Sequence, residues 1–179
     1  MTYMTDMTGM TSMTEMRFNI RVYGVLINEQ KQVLVSDEFI RGNYYTKFPG
    51  GGLEFGEGTR DCLRREFIEE MNLKTEIGEH IYTTDYFQAS AFNPGHQIIS
   101  IYYYARALEP ISTPLRHTPF EFDEKQLKMY EDTGETETFR FIEWENFNPE
   151  SVTLPIDKIV VGIVRGESGV GSQEIGVRS

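Results

Sequence analysis

The amino-acid sequence predicts an α+β fold. Strand-like segments outnumber helix-like ones, turn signals join several of the strands as hairpins, and the helical stretches stand singly among them. The first strand is read over Arg17 to Leu26, where Val, Ile, Phe and Tyr dominate. Asn28-Glu29-Gln30-Lys31-Gln32 supplies a polar turn, and Val33-Leu34-Val35 resumes the extended chain. A helix is predicted over Thr59 to Met71, because Leu63, Phe67 and Met71 recur every fourth residue as one apolar stripe. His80 to Gln88 and Gln97 to Ala107 are aromatic and β-branched, and Asn93-Pro94-Gly95 marks the long connection between them. Glu109 to Glu137 holds three prolines and many charges, and reads as a long functional loop with a short helix. Phe139 to Trp144 is a further strand, and Ile156 to Val164 a last helix, opened by Pro155 at a favourable first-turn position.

The chain of 179 residues divides into three parts. Residues 1–16 repeat Met every third position, mostly followed by Thr, with no Lys or Arg, and read as a disordered leader rather than a secretory or transit signal. Residues 166–179 read as a flexible Gly/Ser tail, which leaves 17–165 as one domain of ordinary size. The net charge of −11 argues against a generic binder of nucleic acid or of an anionic membrane surface, whose footprint is basic. A single Cys excludes a disulfide framework and suits a reducing, cytoplasmic compartment, and no apolar run is long enough for a membrane span.

Removing Asp6 and Glu15, and Glu167 and Glu174 against Arg178, leaves −8 for the central domain, with Glu54, Glu57, Glu66, Glu69 and Glu70 close together. On a helix, Glu66, Glu69 and Glu70 are three and four residues apart and share one face. Like charges at that spacing repel by a few tenths of a kcal/mol per pair, so the pattern needs basic neighbours or a divalent cation, and carboxylate oxygens suit Mg²⁺ or Mn²⁺. Gly50-Gly51-Gly52 permits a tight turn and close approach just upstream, without the Gly-Lys-Ser/Thr of a Walker loop. His80, His96 and His117 show no ligand spacing, and Cys62 lies near the apolar face of the helix, where packing accounts for it.

Gly51, Glu57, Arg65-Glu66, Phe67, Glu69-Glu70 and Leu73 fit one fixed pattern, which resembles the Nudix box. The single departure is Asn72, where the family has Gly; Asn is the next most tolerant of the left-handed backbone that ends such a helix. The resemblance covers most of residues 17–165. It implies an α/β/α sandwich with a mixed central sheet and an enzyme of the Nudix hydrolase type. Such an enzyme cleaves the diphosphate bond of a nucleoside diphosphate linked to another moiety (a nucleotide sugar, an ADP-ribose-like compound or a nucleoside triphosphate) by attack of water on phosphorus.

It further implies that Glu66, Glu69 and Glu70 bind Mg²⁺ (Mn²⁺ as an alternative) with the carbonyl of Gly51, that Arg65 orients the glutamates, and that Glu57 supports the site. Glu135 or Glu137 would supply the base or another ligand from downstream. Tyr45, Phe87 or Phe92 are candidates to stack on a nucleobase, and Glu135 to contact substrate. The implied partner is a small nucleoside diphosphate derivative, with no nucleic acid and no membrane, and dimers are common in the family. Two other readings stay open: a non-catalytic nucleotide-binding or regulatory module, and isopentenyl diphosphate isomerisation, for which no catalytic Cys stands outside the helix. Ala89 takes the place of the Pro that marks many ADP-ribose hydrolases, so the base, sugar and leaving group stay unnamed.

Overall fold

A computed structural model describes residues 17–90, 93 and 95–166. The expected leader, almost all of the expected tail, and Phe92 lie outside the described residues. The elements run in the order β1 (Arg17–Leu26), β2 (Gln32–Ile40), β3 (Asn43–Lys47), β4 (Gly50–Gly52), α1 (Thr59–Met71), β5 (Thr75–Thr83), β6 (His96–Ala107), β7 (Leu115–Arg116), α2 (Glu124–Thr133), β8 (Glu135–Glu143) and α3 (Pro155–Val164).

The expected α+β class is borne out, but the central layer is two sheets rather than one. One four-stranded sheet has the order β4-β1-β6-β5 and the other β3-β2-β8-β7. Both are mixed: β1 runs parallel to β6 and antiparallel to β4, while β8 runs antiparallel to β2 and parallel to β7. The division begins at the Asn28–Gln32 turn, closed by Asn28 N–H to Gln32 O at 3.0 Å. There the chain leaves one sheet for the other, with the bridge Ile27↔Val33 beside the turn.

Alternation along β1 and β2 builds the layers. Val22, Leu26 and Leu34 face α1, where Leu63, Phe67 and Met71 complete one core; Tyr23, Val25, Val33 and Val35 face the other way, onto Ile156, Val160 and Val161 of α3. The stripe read in the sequence is thus the buried face of α1. Gly24 lets α1 come close to β1, because a Cβ there would overlap the Phe67 ring. α1 ends where expected: Asn72 is left-handed (φ 48°, ψ 40°), with its N–H donating to Ile68 O and that of Leu73 to Phe67 O.

Other boundaries moved. The expected strand over His80 to Gln88 is β5, five residues earlier. Thr75 and Ile77 are buried and Glu76 is exposed, and register shifts around His80 break the alternation on which the reading relied. The antiparallel pairing of β5 with β6 across a long connection is as expected. β8 begins at Glu135, because its partner β2 continues to Ile40. The expected loop over Glu109 to Glu137 contains β7 and the ten-residue α2, started by a capping box in which Asp123 accepts from the Gln126 N–H and the Gln126 side chain accepts from the Asp123 N–H.

Candidate active site

The chain turns sharply after β3, through Phe48 and Pro49, into β4. Gly51 sits opposite Val22 of β1 and faces the Glu66 carboxylate so closely that any Cβ at this position would overlap it. A cleft of about 600 Å³ opens here, with Gly51, Glu66 and Glu70 in its lining. The glycine turn and the helix, separate in sequence, therefore form one wall.

Arg65 organises the outer side of that wall. Its Nε and one Nη donate to both oxygens of Glu57 at 3.1 and 2.7 Å. The other Nη donates to Glu66 Oε1 at 2.9 Å and to Glu69 Oε2 at 3.0 Å, and the Gly52 carbonyl accepts at 3.0 Å. One guanidinium thus offsets the repulsion among three carboxylates and ties the helix to the glycine turn. Hydrogen bonds from Arg65 and from the Glu54 N–H pull the Glu57 carboxyl down to about 2, so it stays ionised. Glu57, Arg65 and Glu69 surround the cleft without lining it. Burial pushes the Cys62 thiol up to about 12, which agrees with a packing role.

Glu70 is different. Its Oε2 is buried with no hydrogen-bond partner, and burial, then Glu137, raise its pKa well above the ordinary carboxylate range. Glu137 stands directly across from Glu38 in the β2–β8 ladder, and burial followed by the Glu38 charge pushes it up to about 7. Lys47 reaches Glu38 at 2.8 Å; burial opposes its charge, but Glu38 and Tyr23 outweigh burial and its pKa is raised.

Among the described residues no three His, Cys, Asp or Glu side chains are gathered closely enough to hold a metal ion. The donors nevertheless fit a hard divalent cation. Glu66 and Glu70 supply carboxylate oxygens at the cleft, one of them orphaned, and the Gly51 contact leaves room for nothing larger than hydrogen beside Glu66.

Tyr45 and Glu135 line the cleft, Tyr45 half-buried and Glu135 exposed. Phe87 does not line it and is 72% exposed, although its neighbours Gln88 and Ala89 do. The sequence reading missed Glu38, Lys47 and Arg21, which strand pairing brings to the same cleft. Their signal was a charged residue inside, or at the end of, an otherwise strand-like run.

Two mixed sheets between helices, with a glycine turn packed on a carboxylate-bearing helix, define an α+β domain built around an acidic cleft. The family model described as NUDIX domain matches residues 17–158. The fold is similar to that of a MutT protein from Methanosarcina mazei Go1 (TM-score 0.59, 16% identity, 87% of this chain and 99% of the other). It is also similar to a NUDIX hydrolase from Nitrosomonas europaea (TM-score 0.58, 16% identity, 83% and 89%) and to the E. coli ORF135 protein (TM-score 0.55, 15% identity, 89% and 96%). The chain belongs to the Nudix family of hydrolases.

Proposed function

We propose that the chain is an Mg²⁺-dependent pyrophosphohydrolase, with Mn²⁺ able to substitute, cleaving the diphosphate bond of a small nucleoside diphosphate derivative by attack of water on phosphorus. The observation that supports this most is the close apposition of Gly51 and Glu66 beside the orphaned, buried oxygen of Glu70. Glu66 and Glu70, with the Gly51 carbonyl, would hold the cation, and Glu69 would contribute directly or through water. When bound, the cation neutralises charge on the phosphoryl oxygens. Arg65 keeps Glu57, Glu66 and Glu69 in place. Glu137, half-buried in the cleft with its carboxyl near 7, is a better base than the exposed Glu135, because it can take a proton from water near neutral pH. Tyr45 contributes an aromatic face in the lining.

The same reading takes residues 17–165 as the working unit, in the cytoplasm, with no nucleic-acid or membrane partner. Among the described residues no helix is long and apolar enough to cross a membrane. The test is a panel of nucleotide sugars, dinucleoside-type diphosphates and nucleoside triphosphates assayed with Mg²⁺ and with Mn²⁺. EDTA is expected to abolish turnover and Glu70→Gln to reduce it by orders of magnitude; full activity in that variant overturns the assignment.

A further inference from the structure

Five glutamates line the cleft (Glu38, Glu66, Glu70, Glu135 and Glu137), yet Arg21, in the same lining, forms no ion pair with any described residue. The guanidinium makes one hydrogen bond, from Nε to the Tyr23 hydroxyl at 2.6 Å, and its carbon lies 5.7 Å from the centre of that ring. Both terminal amino groups are therefore uncommitted among the described residues. Lys47, the neighbouring cation, is spent: its ammonium is 2.8 Å from Glu38, 3.4 Å from the Gly50 carbonyl, and 5.2 Å from the centre of the Tyr23 ring. Tyr23 is itself pinned. Its ring lies 5.3 Å from that of Tyr102, whose hydroxyl donates to the buried Asp157 at 2.6 Å.

A fork of planar donors, fixed at one nitrogen and open at the other two, matches two oxygens of a phosphoryl group. We propose that Arg21 is the phosphoryl anchor of this cleft, and that Tyr23 is the positioning residue that aims it. The proposal rests on the reading that the cleft takes a diphosphate. It assigns anion binding to β1, on a strand distinct from the helix that carries the carboxylates.

The experiment uses the full chain with Arg21→Ala, Arg21→Lys and Tyr23→Phe. It reads KM and kcat on the best diphosphate substrate of the panel, the Kd of inorganic pyrophosphate in Mg²⁺ by calorimetry, and the affinity for Mg²⁺ alone. Arg21→Ala is expected to raise KM and the pyrophosphate Kd about ten- to a hundredfold, with Mg²⁺ affinity not lowered. Arg21→Lys recovers only part of that, since an ammonium is a point charge. Tyr23→Phe keeps kcat and raises KM severalfold, a split that a merely structural role does not produce. Wild-type KM and Kd in Arg21→Ala overturn the anchor, and full recovery by Lys overturns the fork. If Arg21→Ala fails to fold, the Lys and Phe variants decide. Pyrophosphate binding that depends on Arg21, with no turnover of any panel member, upholds the anchor and overturns the hydrolase assignment instead.

Discussion

Asp37 and Arg140 meet diagonally across β2 and β8, with Arg140 Nε 2.6 Å from Asp37 Oδ2 and Nη2 3.2 Å from Oδ1. The fully buried carboxylate also accepts from the Thr46 hydroxyl at 2.6 Å and from the Phe120 N–H at 3.2 Å. Because side chains alternate along a strand, this pair on one face sets Glu38 on the other, opposite Glu137 and toward the cleft. Asp37→Ala leaves a nearly buried guanidinium unpaired and is expected to lower stability by about 3–5 kcal/mol, seen as an earlier denaturant midpoint.

Gly51→Ala tests the contact with Glu66. The added methyl displaces the carboxylate, while β4, a three-residue strand, tolerates it otherwise. Mg²⁺ affinity and kcat are expected to fall about ten- to a hundredfold, with little change in melting temperature. Unchanged Mg²⁺ titrations would refute the role given to this glycine.

Glu70→Gln separates function from stability. The carboxyl is buried beside Glu66 and Glu137, so its charge burdens the metal-free fold. The neutral isostere is expected to raise the metal-free melting temperature by about 2–4 °C, roughly 1 kcal/mol, while activity collapses.

Asn72 supplies a backbone test. Its positive φ favours Gly and opposes a Cβ-bearing residue without an amide. Asn72→Gly is expected to stabilise by up to about 1 kcal/mol and Asn72→Ala to destabilise by about as much, both without a change in KM. Thermal unfolding of the three proteins checks the order.

Burial pushes the Asp157 carboxyl from 3.8 up to about 7. The folded protein therefore holds this proton more tightly than the unfolded chain. Asp157 favours folding below 3.8, and that stability is lost as pH rises through about 7. Asp157→Asn should flatten the fall in melting temperature across this window. A wild-type slope in the variant would mean that other groups set it.

The sequence was most legible where one element carries its own pattern. β1 and α1 have the expected bounds, since an unbroken strand run and a four-residue apolar repeat both describe a single buried face. β5 was displaced because the register shifts beside His80 interrupt its alternation, and the start of β8 was hidden because Glu and Thr alternate where its partner decides the pairing. The site divides in the same way. Gly51, Glu57, Arg65 and the three glutamates lie within a short stretch that fixes its own geometry. Arg21, Glu38 and Lys47 share a cleft only through the pairing of β1, β2 and β3 with other strands, which no local pattern records.

α2 adds Met129 and Thr133 to the cleft, yet it buries none of its own residues. It is held by its cap, by Gln126 donating to the Glu137 carbonyl at 2.7 Å, and by Tyr130 stacked on Phe39 with ring centres 3.9 Å apart. The carboxylate helix, by contrast, is locked into a core. The wall that α2 contributes is thus a surface panel: substitutions at Met129 and Thr133 can reshape what the cleft admits without disturbing the core that supports its chemistry.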